Sequence, residues 1–349
     1  MNDDTPILGP LTPLQQINTP SCTPTVDESK LLICRELYNG GFSELIGARD
    51  LANGSAVAIK RIDFTRKIYS KLPWNIIKNR MVKKLTDRID GLRQMNQLNV
   101  MKTIDFSIKD NKIIIVMEMC MFGDFFNWVL QQGTFTEYDA IVALQHILKG
   151  IRYLHERGYA HGDLKPNNIV FQTVGPYSVV VMPEISLMKE ISKVIRKDLI
   201  ILDCYAPELL NVSVEDEVSI TKEMDIWSLG IIGYIMISGR APFVANSRKD
   251  VYEKIMENLS SIFDCPPWKL IHQQTKSILV SLLHINPTNR GSVDRPINER
   301  LKNDEEHHKC VNLINMTEYE MLATCRRYRL NSIQHMDDIS QSTDEYIDE

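Results

Sequence analysis

The alternation of apolar and polar residues predicts short β-strands in the first third of the chain. Runs rich in β-branched residues cover positions 31 to 37, 45 to 49 and 56 to 62. Asn53-Gly54 separates the second run from the third, and an Asn-Gly pair between such runs indicates a tight hairpin turn. The apolar run at positions 111 to 120 adds a further strand. These patterns predict a small β-rich unit.

Helical spacing dominates the rest of the chain. Apolar residues recur at helical intervals across positions 74 to 98, and again across positions 136 to 154, where the pattern ends near Gly158. The most apolar run, positions 226 to 238, is shorter than the roughly 20 residues that span a bilayer, so it predicts a buried helix. A last helix candidate covers positions 311 to 328. Most of the chain after residue 120 is therefore expected to be helical.

Composition narrows the class of protein. The 349 residues are 44% hydrophobic and 24% charged, as in soluble globular proteins, and the net charge of -5 argues against a nucleic-acid or membrane-surface partner. None of the seven cysteines belongs to a C-x-x-C pair, so neither a zinc site nor a disulfide-linked partner is expected. No basic segment followed by an apolar run opens the chain. We therefore expect a soluble, intracellular protein of the cytoplasm or nucleus.

The two ends of the chain differ from the middle. Residues 1–29 are rich in Pro, Thr and Ser and contain four Thr-Pro pairs, which predicts a disordered tail. This tail suits proline-directed phosphorylation or docking, or it has no role at all. Residues 301–349 form a charged extension whose last fourteen residues lack Lys and Arg, so a disordered acidic end is expected.

A polar loop at positions 159 to 171 carries the candidate chemistry. Phosphate transfer from ATP needs a carboxylate that accepts the substrate hydroxyl proton, a cation near the moving phosphate and an amide oxygen on the metal. Asp163, Lys165 and Asn168 supply these three groups. The pattern H-x-D-L-x-x-x-N resembles the catalytic loop of eukaryotic-type protein kinases, and a Lys two residues after the Asp is similar to their serine/threonine branch. His161 is expected to be structural.

The resemblance implies an α+β bilobal fold for residues 30–300, with a small β-rich N-lobe (30–119) and a larger, mainly α-helical C-lobe (120–300). Ala206-Pro207-Glu208 resembles the family's A-P-E motif, and the run from Asp225 to Gly230 resembles its D-x-W-S-x-G motif. The resemblance further implies that Asp225 anchors the catalytic-loop backbone and that Arg290 pairs with Glu208 in a buried bridge.

The same resemblance implies a nucleotide site. Val57-Ala58-Ile59-Lys60 is similar to the V-A-I-K strand, whose lysine neutralises the α- and β-phosphates. Residues 38–44 match the glycine-rich loop only in part, because Tyr38 and Ser43 occupy the outer glycine positions. Met117 and the residues after it resemble the adenine-binding hinge, with Asp124 near the ribose. The implied ATP-binding residues are Lys60, Leu37, Gly40, Gly41, Leu45, Glu118, Cys120 and Asp124.

Three features depart from the kinase pattern. The D-F-G aspartate is replaced by Pro183-Glu184, so the implied ligands of Mg2+, or of Mn2+, are Asn168 and Glu184, with Asp203 as a second candidate. No glutamate lies between Lys60 and Met117 to pair with the strand lysine. Gly162 replaces the arginine that precedes the catalytic aspartate and receives an activation-loop phosphate.

Three functions remain open from the sequence. The first is a serine/threonine kinase that transfers the γ-phosphate of ATP to protein hydroxyls. The second is an inactive pseudokinase that binds a partner kinase or another protein as a regulatory scaffold. The third is a small-molecule phosphotransferase of related fold, against which the A-P-E and D-x-W-S-x-G motifs weigh.

Overall fold

The computed structural model describes residues 26–39, 43–63, 65, 89, 91–109, 112–125, 135–172, 179–181, 204–211, 220–245, 247–265, 268–291 and 294–305. The predictions made for the tail, for Gly40 and Gly41, for Glu184 and Asp203, for most of positions 74 to 98, for the helix candidate at 311 to 328 and for the acidic end lie outside these residues.

The N-terminal part forms a five-stranded antiparallel sheet. Its strands are β1 (Leu31–Asn39), β2 (Glu44–Asp50), β3 (Ala56–Asp63), β4 (Thr103–Lys109) and β5 (Lys112–Glu118). They lie in the order β1-β2-β3-β5-β4, and each neighbouring pair is antiparallel. The strands predicted from β-branched runs are therefore confirmed.

Gly54 closes the hairpin between β2 and β3 with a φ of 73°, a conformation that glycine adopts without steric cost. Along β3 the side chains alternate between the two faces of the sheet. Val57 and Ile59 are buried on one face, while Ala58 and Ile62 are buried on the other. Lys60 shares the face of Ala58 and Ile62, between its neighbours Leu45 on β2 and Ile115 on β5.

The predicted helix over 74–98 is wrong at its C-terminal end. Residues 89 and 91–93 are helical, but the chain then turns, and Leu98 is 86% exposed. At this end the N–H groups of Gln94 and Met95 donate to the carbonyls three residues earlier, as in a tight final turn. The next N–H, that of Asn96, donates to the Tyr153 hydroxyl on the helix Glu137–Glu156 at 3.1 Å, so it makes no helical hydrogen bond.

The C-terminal part is mainly helical. Its helices among the described residues are α1 (Glu137–Glu156), α2 (Pro207–Leu210), α3 (Lys222–Ser238), α4 (Arg248–Asn258), α5 (Gln273–Leu282) and α6 (Asp294–Glu305). Strand β6 (Ile169–Phe171) pairs antiparallel with β7 (Val179–Val181). The small sheet followed by a helical lobe confirms the predicted α+β bilobal fold.

The boundaries of α1 follow from its end residues. The Thr136 hydroxyl accepts from Asp139 N–H at 3.1 Å and so caps the first turn. After the helix, Gly158 turns the chain with a φ of 80° and directs it into the polar loop. The buried face of α1, which includes Leu144, Ile147 and Ile151, packs in the main hydrophobic cluster.

Helix α3 is the centre of the larger lobe. All but three of its seventeen residues are buried, and it packs against α1 and α5. The prediction of a buried helix here is confirmed. Within the part of the chain that the structure describes, no helix is both long and apolar enough to cross a bilayer. The four cysteines described there, Cys34, Cys120, Cys204 and Cys265, are free thiols.

Candidate active site

The polar loop is tied to the start of α3 by one buried carboxylate. Asp225 is 1% exposed, and its two oxygens accept from His161 N–H at 2.7 Å and from Gly162 N–H at 2.8 Å. His155, near the end of α1, also contacts Asp225 at 2.7 Å through Nε2. Asp225 therefore anchors the loop backbone, as the resemblance implied. Because the anchor is a backbone contact, it needs no side chain on residue 162.

Gly162 adopts a φ of +78°, which L residues with a side chain rarely take. A Cβ atom at this position would lie 2.5 Å from Cδ1 of Ile220. Glycine therefore removes both a backbone strain and a steric clash. The sequence indicated only the loss of an arginine here, and the structure adds that the local packing suits glycine.

Asp163 and Lys165 lie side by side in the loop. The Lys165 ammonium donates to Oδ2 of Asp163 at 2.7 Å, and the Asp163 side chain is 3% exposed. The backbone N–H of Asp163 donates to Nδ1 of His161 at 3.2 Å, and His161 is fully buried. His161 thus packs the loop, in keeping with the structural role expected for it.

Asn168 ends the 3-10 turn Pro166–Asn168, five residues after Asp163. Its amide nitrogen donates to the backbone carbonyl of Asp163 at 2.7 Å, and the residue is 4% exposed. This bond leaves the amide oxygen as the group that suits a hard cation such as Mg2+. The described residues contain no group of three or more His, Cys, Asp and Glu that could hold a metal. The second implied ligand, Glu184, lies outside them.

The residues implied as the adenine-binding hinge begin with Glu118, the last residue of β5, which contacts the larger lobe. The Glu118 carboxylate accepts from Lys102 N–H at 2.7 Å and from the Gln172 amide at 3.2 Å, and the Glu118 N–H donates to the Lys102 carbonyl at 3.1 Å. Cys120 is buried, and burial raises the pKa of its thiol to about 12. Asp124 forms an isolated β-bridge with Val170. Val170 follows Asn168 by two positions, so the bridge brings Asp124 to the same part of the polar loop.

The remaining nucleotide-site candidates lie on the sheet. Lys60 is half-buried on β3, and Leu45 stands directly opposite it on β2 and packs against the hydrophobic cluster of that face. Leu37 on β1 is 36% exposed. Thus β2 and β3 bring Lys60 and Leu45 together, while the contacts of Gly40 and Gly41 lie outside the described residues.

A family model described as the protein kinase domain matches residues 33–301. This chain belongs to the eukaryotic-type protein kinase family. It is similar to a probable serine/threonine-protein kinase, fhkD, of Dictyostelium discoideum, with 28% identity over 80% of this chain and 37% of that protein. It is also 30% identical to human serine/threonine-protein kinase H1, over 56% of this chain and 46% of that protein. The chain therefore spans less than half the length of these two relatives.

Human calcium/calmodulin-dependent protein kinase type 1B is 27% identical, over 76% of this chain and 73% of that protein. Among solved structures, Rad53 1-466 in complex with AMP-PNP is similar, with a TM-score of 0.59 and 21% identity. That match covers 78% of this chain and 65% of the Rad53 chain. At this identity the likeness supports the bilobal kinase fold and nothing finer.

The A-P-E segment of the kinase domain is held by a buried ion pair. The Arg290 guanidinium donates to both oxygens of Glu208, at 2.6 and 2.7 Å, and its side chain is fully buried. Arg290 also donates to the carbonyl oxygens of His284 and Glu223, each at 2.8 Å. The bridge expected from the resemblance is present, and it links α2 to the loop after α5.

Sequence reasoning missed Tyr205, which directly precedes the A-P-E motif. Its hydroxyl donates to Oδ1 of Asp163 at 3.3 Å. Burial, and next the negative charge of Asp163, raise the pKa of Tyr205 well above its usual value. The contact joins residues that are 42 positions apart in the sequence. The sequence signal that could have indicated it was the place of Tyr205 directly before the A-P-E motif.

Proposed function

We propose that this chain is a serine/threonine protein kinase that transfers the γ-phosphate of ATP to a hydroxyl of a protein substrate. The observation that carries the proposal is the hydrogen-bonded group of Asp163, Lys165 and Asn168, with bonds of 2.7 Å from the latter two to Asp163. Asp225 holds the backbone of this group in place. Family membership and the names of the relatives agree with this chemistry.

In this proposal Asp163 accepts the proton as the substrate oxygen bonds to the γ-phosphorus and the bond from that phosphorus to the ADP oxygen breaks. Lys165 lies against the same carboxylate, so it orients Asp163 and presents a positive charge to the phosphate in transit. Lys60, on the face of the sheet that carries Ala58 and Ile62, neutralises the α- and β-phosphates. In each role the charge of the side chain is opposite to that of its partner: the Asp163 carboxylate accepts a proton, and the two lysines meet negatively charged phosphates.

The proposed cofactor is Mg2+, or Mn2+, with the amide oxygen of Asn168 and the carboxylate of Glu184 as ligands. A bound divalent ion supplies charge neutralisation on the phosphates. Adenine would contact the backbone of Glu118 and Cys120, and Asp124 would contact the ribose. Leu37, Gly40, Gly41 and Leu45 would cover the nucleotide from the sheet.

The test is phosphate transfer from labelled ATP by the purified chain, with Mg2+ and with Mn2+, beside Asp163→Asn and the control Asp264→Asn. Asp264 is exposed and distant in sequence from the loop. Loss of a general base lowers rates by about 100-fold or more, so we expect transfer by the wild type and the control and almost none by Asp163→Asn. Equal transfer by all three would contradict the role of Asp163.

The alternative is a pseudokinase that binds a protein partner without catalysis. The absence of the D-F-G aspartate, of a glutamate between Lys60 and Met117, and of the outer loop glycines supports this alternative. Both carboxylate oxygens of Asp163 also already accept hydrogen bonds, from Lys165 and Tyr205. Absence of transfer by the wild type with either metal, while the folded protein retains a cooperative unfolding transition, would favour this alternative.

A further inference from the structure

We propose that Tyr205 is a positioning residue for the catalytic carboxylate, and that its hydroxyl orients Asp163 for the substrate. This inference rests on the proposed kinase function. Lys165 donates to Oδ2 of Asp163 at 2.7 Å, and Tyr205 donates to Oδ1 at 3.3 Å. Two donors that approach from separate segments fix the plane of the carboxylate, whereas one donor would leave it able to rotate.

The backbone on both sides of Tyr205 is held firmly. Cys204 is fully buried, and its carbonyl accepts from the Ser228 hydroxyl at 2.8 Å. Ala206, on the other side, is 1% exposed and precedes α2. The Tyr205 ring packs against the main hydrophobic cluster. Burial and the hydrogen bond to Ser228 therefore fix the backbone that carries the phenol.

A single helix positions both partners of this hydrogen bond. Asp225, on α3, holds the loop that carries Asp163, and Ser228, one turn later on the same helix, holds the segment that carries Tyr205. Residues three apart lie on the same face of a helix. The relative placement of the phenol and the carboxylate thus depends on the buried face of α3.

The chemistry of the contact suits a donor that stays protonated. A tyrosine phenol is neutral around pH 7, so the Tyr205 hydroxyl donates to the carboxylate and does not repel it. A distance of 3.3 Å lies at the long end for an O–H···O hydrogen bond. A carboxylate oxygen offers two lone pairs, so Oδ1 retains capacity for the hydroxyl of a substrate.

The experiment compares the kinetics of the wild type, Tyr205→Phe and the control Tyr234→Phe. Tyr234 is another buried tyrosine of the same lobe, and its hydroxyl donates to the Ile262 carbonyl at 3.0 Å. We expect Tyr205→Phe to lower kcat about 10-fold, the usual scale for a hydrogen bond to a charged group, and to leave the KM for ATP unchanged. Tyr234→Phe should lower the thermal unfolding temperature but leave kcat unchanged.

Three outcomes separate the possibilities. A kcat for Tyr205→Phe equal to or above that of the wild type overturns the positioning role, because the phenol would then be neutral or would obstruct Asp163. A kcat loss of the same size in Tyr234→Phe also overturns it, since general loosening of the lobe would explain both. Absence of transfer by the wild type overturns the proposed function itself and the role of Tyr205 with it.

A double-mutant cycle measures the contact without an activity assay. Thermal unfolding is recorded for Tyr205→Phe, Asp163→Ala and the double variant, because alanine at position 163 removes the oxygen that accepts from the phenol. A direct hydrogen bond makes the two changes non-additive. Additive shifts in unfolding temperature would overturn the contact, whether or not the wild type transfers phosphate.

Discussion

Gly162 shows how one residue shapes the polar loop that carries Asp163. Its φ of +78° and its contact with Ile220 both disfavour a side chain. We expect Gly162→Ala to lower the free energy of unfolding by about 2 kcal/mol or more, because a left-handed conformation costs 1–2 kcal/mol and the clash adds to it. It should also reduce phosphate transfer, since the next residue is Asp163. Chemical unfolding and the transfer assay measure the two effects.

Gly54→Ala is the matched control. Gly54 has a similar φ of 73°, but a Cβ atom there would meet nothing within 4 Å. Its cost therefore reports the backbone strain alone, about 1–2 kcal/mol. Equal destabilisation by the two substitutions would contradict the importance of the Ile220 contact.

The pKa of Tyr205 gives a prediction about pH. Because the folded protein holds the phenol proton more tightly than the unfolded chain does, this group contributes stability that is fully present below pH 10 and is lost as the pH rises above it. We expect the unfolding free energy of the wild type to fall more steeply between pH 9 and pH 11 than that of Tyr205→Phe. Urea unfolding across this range measures both slopes, and parallel slopes would contradict the prediction.

Sequence reasoning performs differently for different site residues. Asp163, Lys165 and Asn168 lie within six positions, so their spacing alone indicates one loop. Tyr205 could not be predicted, because its contact with Asp163 depends on how two distant segments are held by α3. The clash that a side chain at position 162 would make could not be predicted either, because it depends on the position of Ile220. Functional groups that are close in the sequence can be predicted from their spacing, whereas contacts between distant segments that form by packing cannot.

At the scale of elements, the ion pair of Arg290 and Glu208 joins α2 to the loop after α5. Breaking a buried pair leaves an uncompensated charge and costs about 3–5 kcal/mol. We expect Arg290→Ala to approach this cost, since it also removes the donors to the carbonyls of His284 and Glu223. Chemical unfolding measures the loss.

The comparison for this pair is Lys249→Ala. Lys249 and Glu253 form an exposed pair on α4, with the lysine side chain 82% exposed. Such a pair contributes about 0.5 kcal/mol or less. If the two substitutions lowered the free energy of unfolding equally, the buried bridge would contribute no more to stability than the exposed pair.

Element boundaries were predictable where a local signal was strong. The Asn53-Gly54 turn and the Thr136 cap mark the β2–β3 hairpin and the start of α1, and both signals depend only on neighbouring residues. The helix predicted to residue 98 ends earlier, and the N–H of Asn96 donates to the Tyr153 hydroxyl on α1 instead of to a helical carbonyl. The apolar period alone did not indicate this contact with a distant segment.

At the scale of the whole molecule, the proposed nucleotide site combines both lobes. Lys60 belongs to the sheet, whereas Asn168 belongs to the polar loop, and the Glu118 carboxylate at the end of β5 contacts the Gln172 amide of the larger lobe. A ligand that contacts both lobes stabilises the folded state against unfolding. At a concentration about 100-fold above its Kd, the gain is about 2.7 kcal/mol.

We therefore expect ATP with Mg2+ to raise the thermal unfolding temperature by about 5 °C, and Lys60→Met to abolish most of that rise. Lys249→Met removes an exposed lysine of the other lobe and should retain the full shift. A shift that survives in Lys60→Met would contradict the phosphate-binding role of Lys60. A shift that is the same with and without Mg2+ would instead indicate that nucleotide binds without metal, which is the behaviour expected of the pseudokinase.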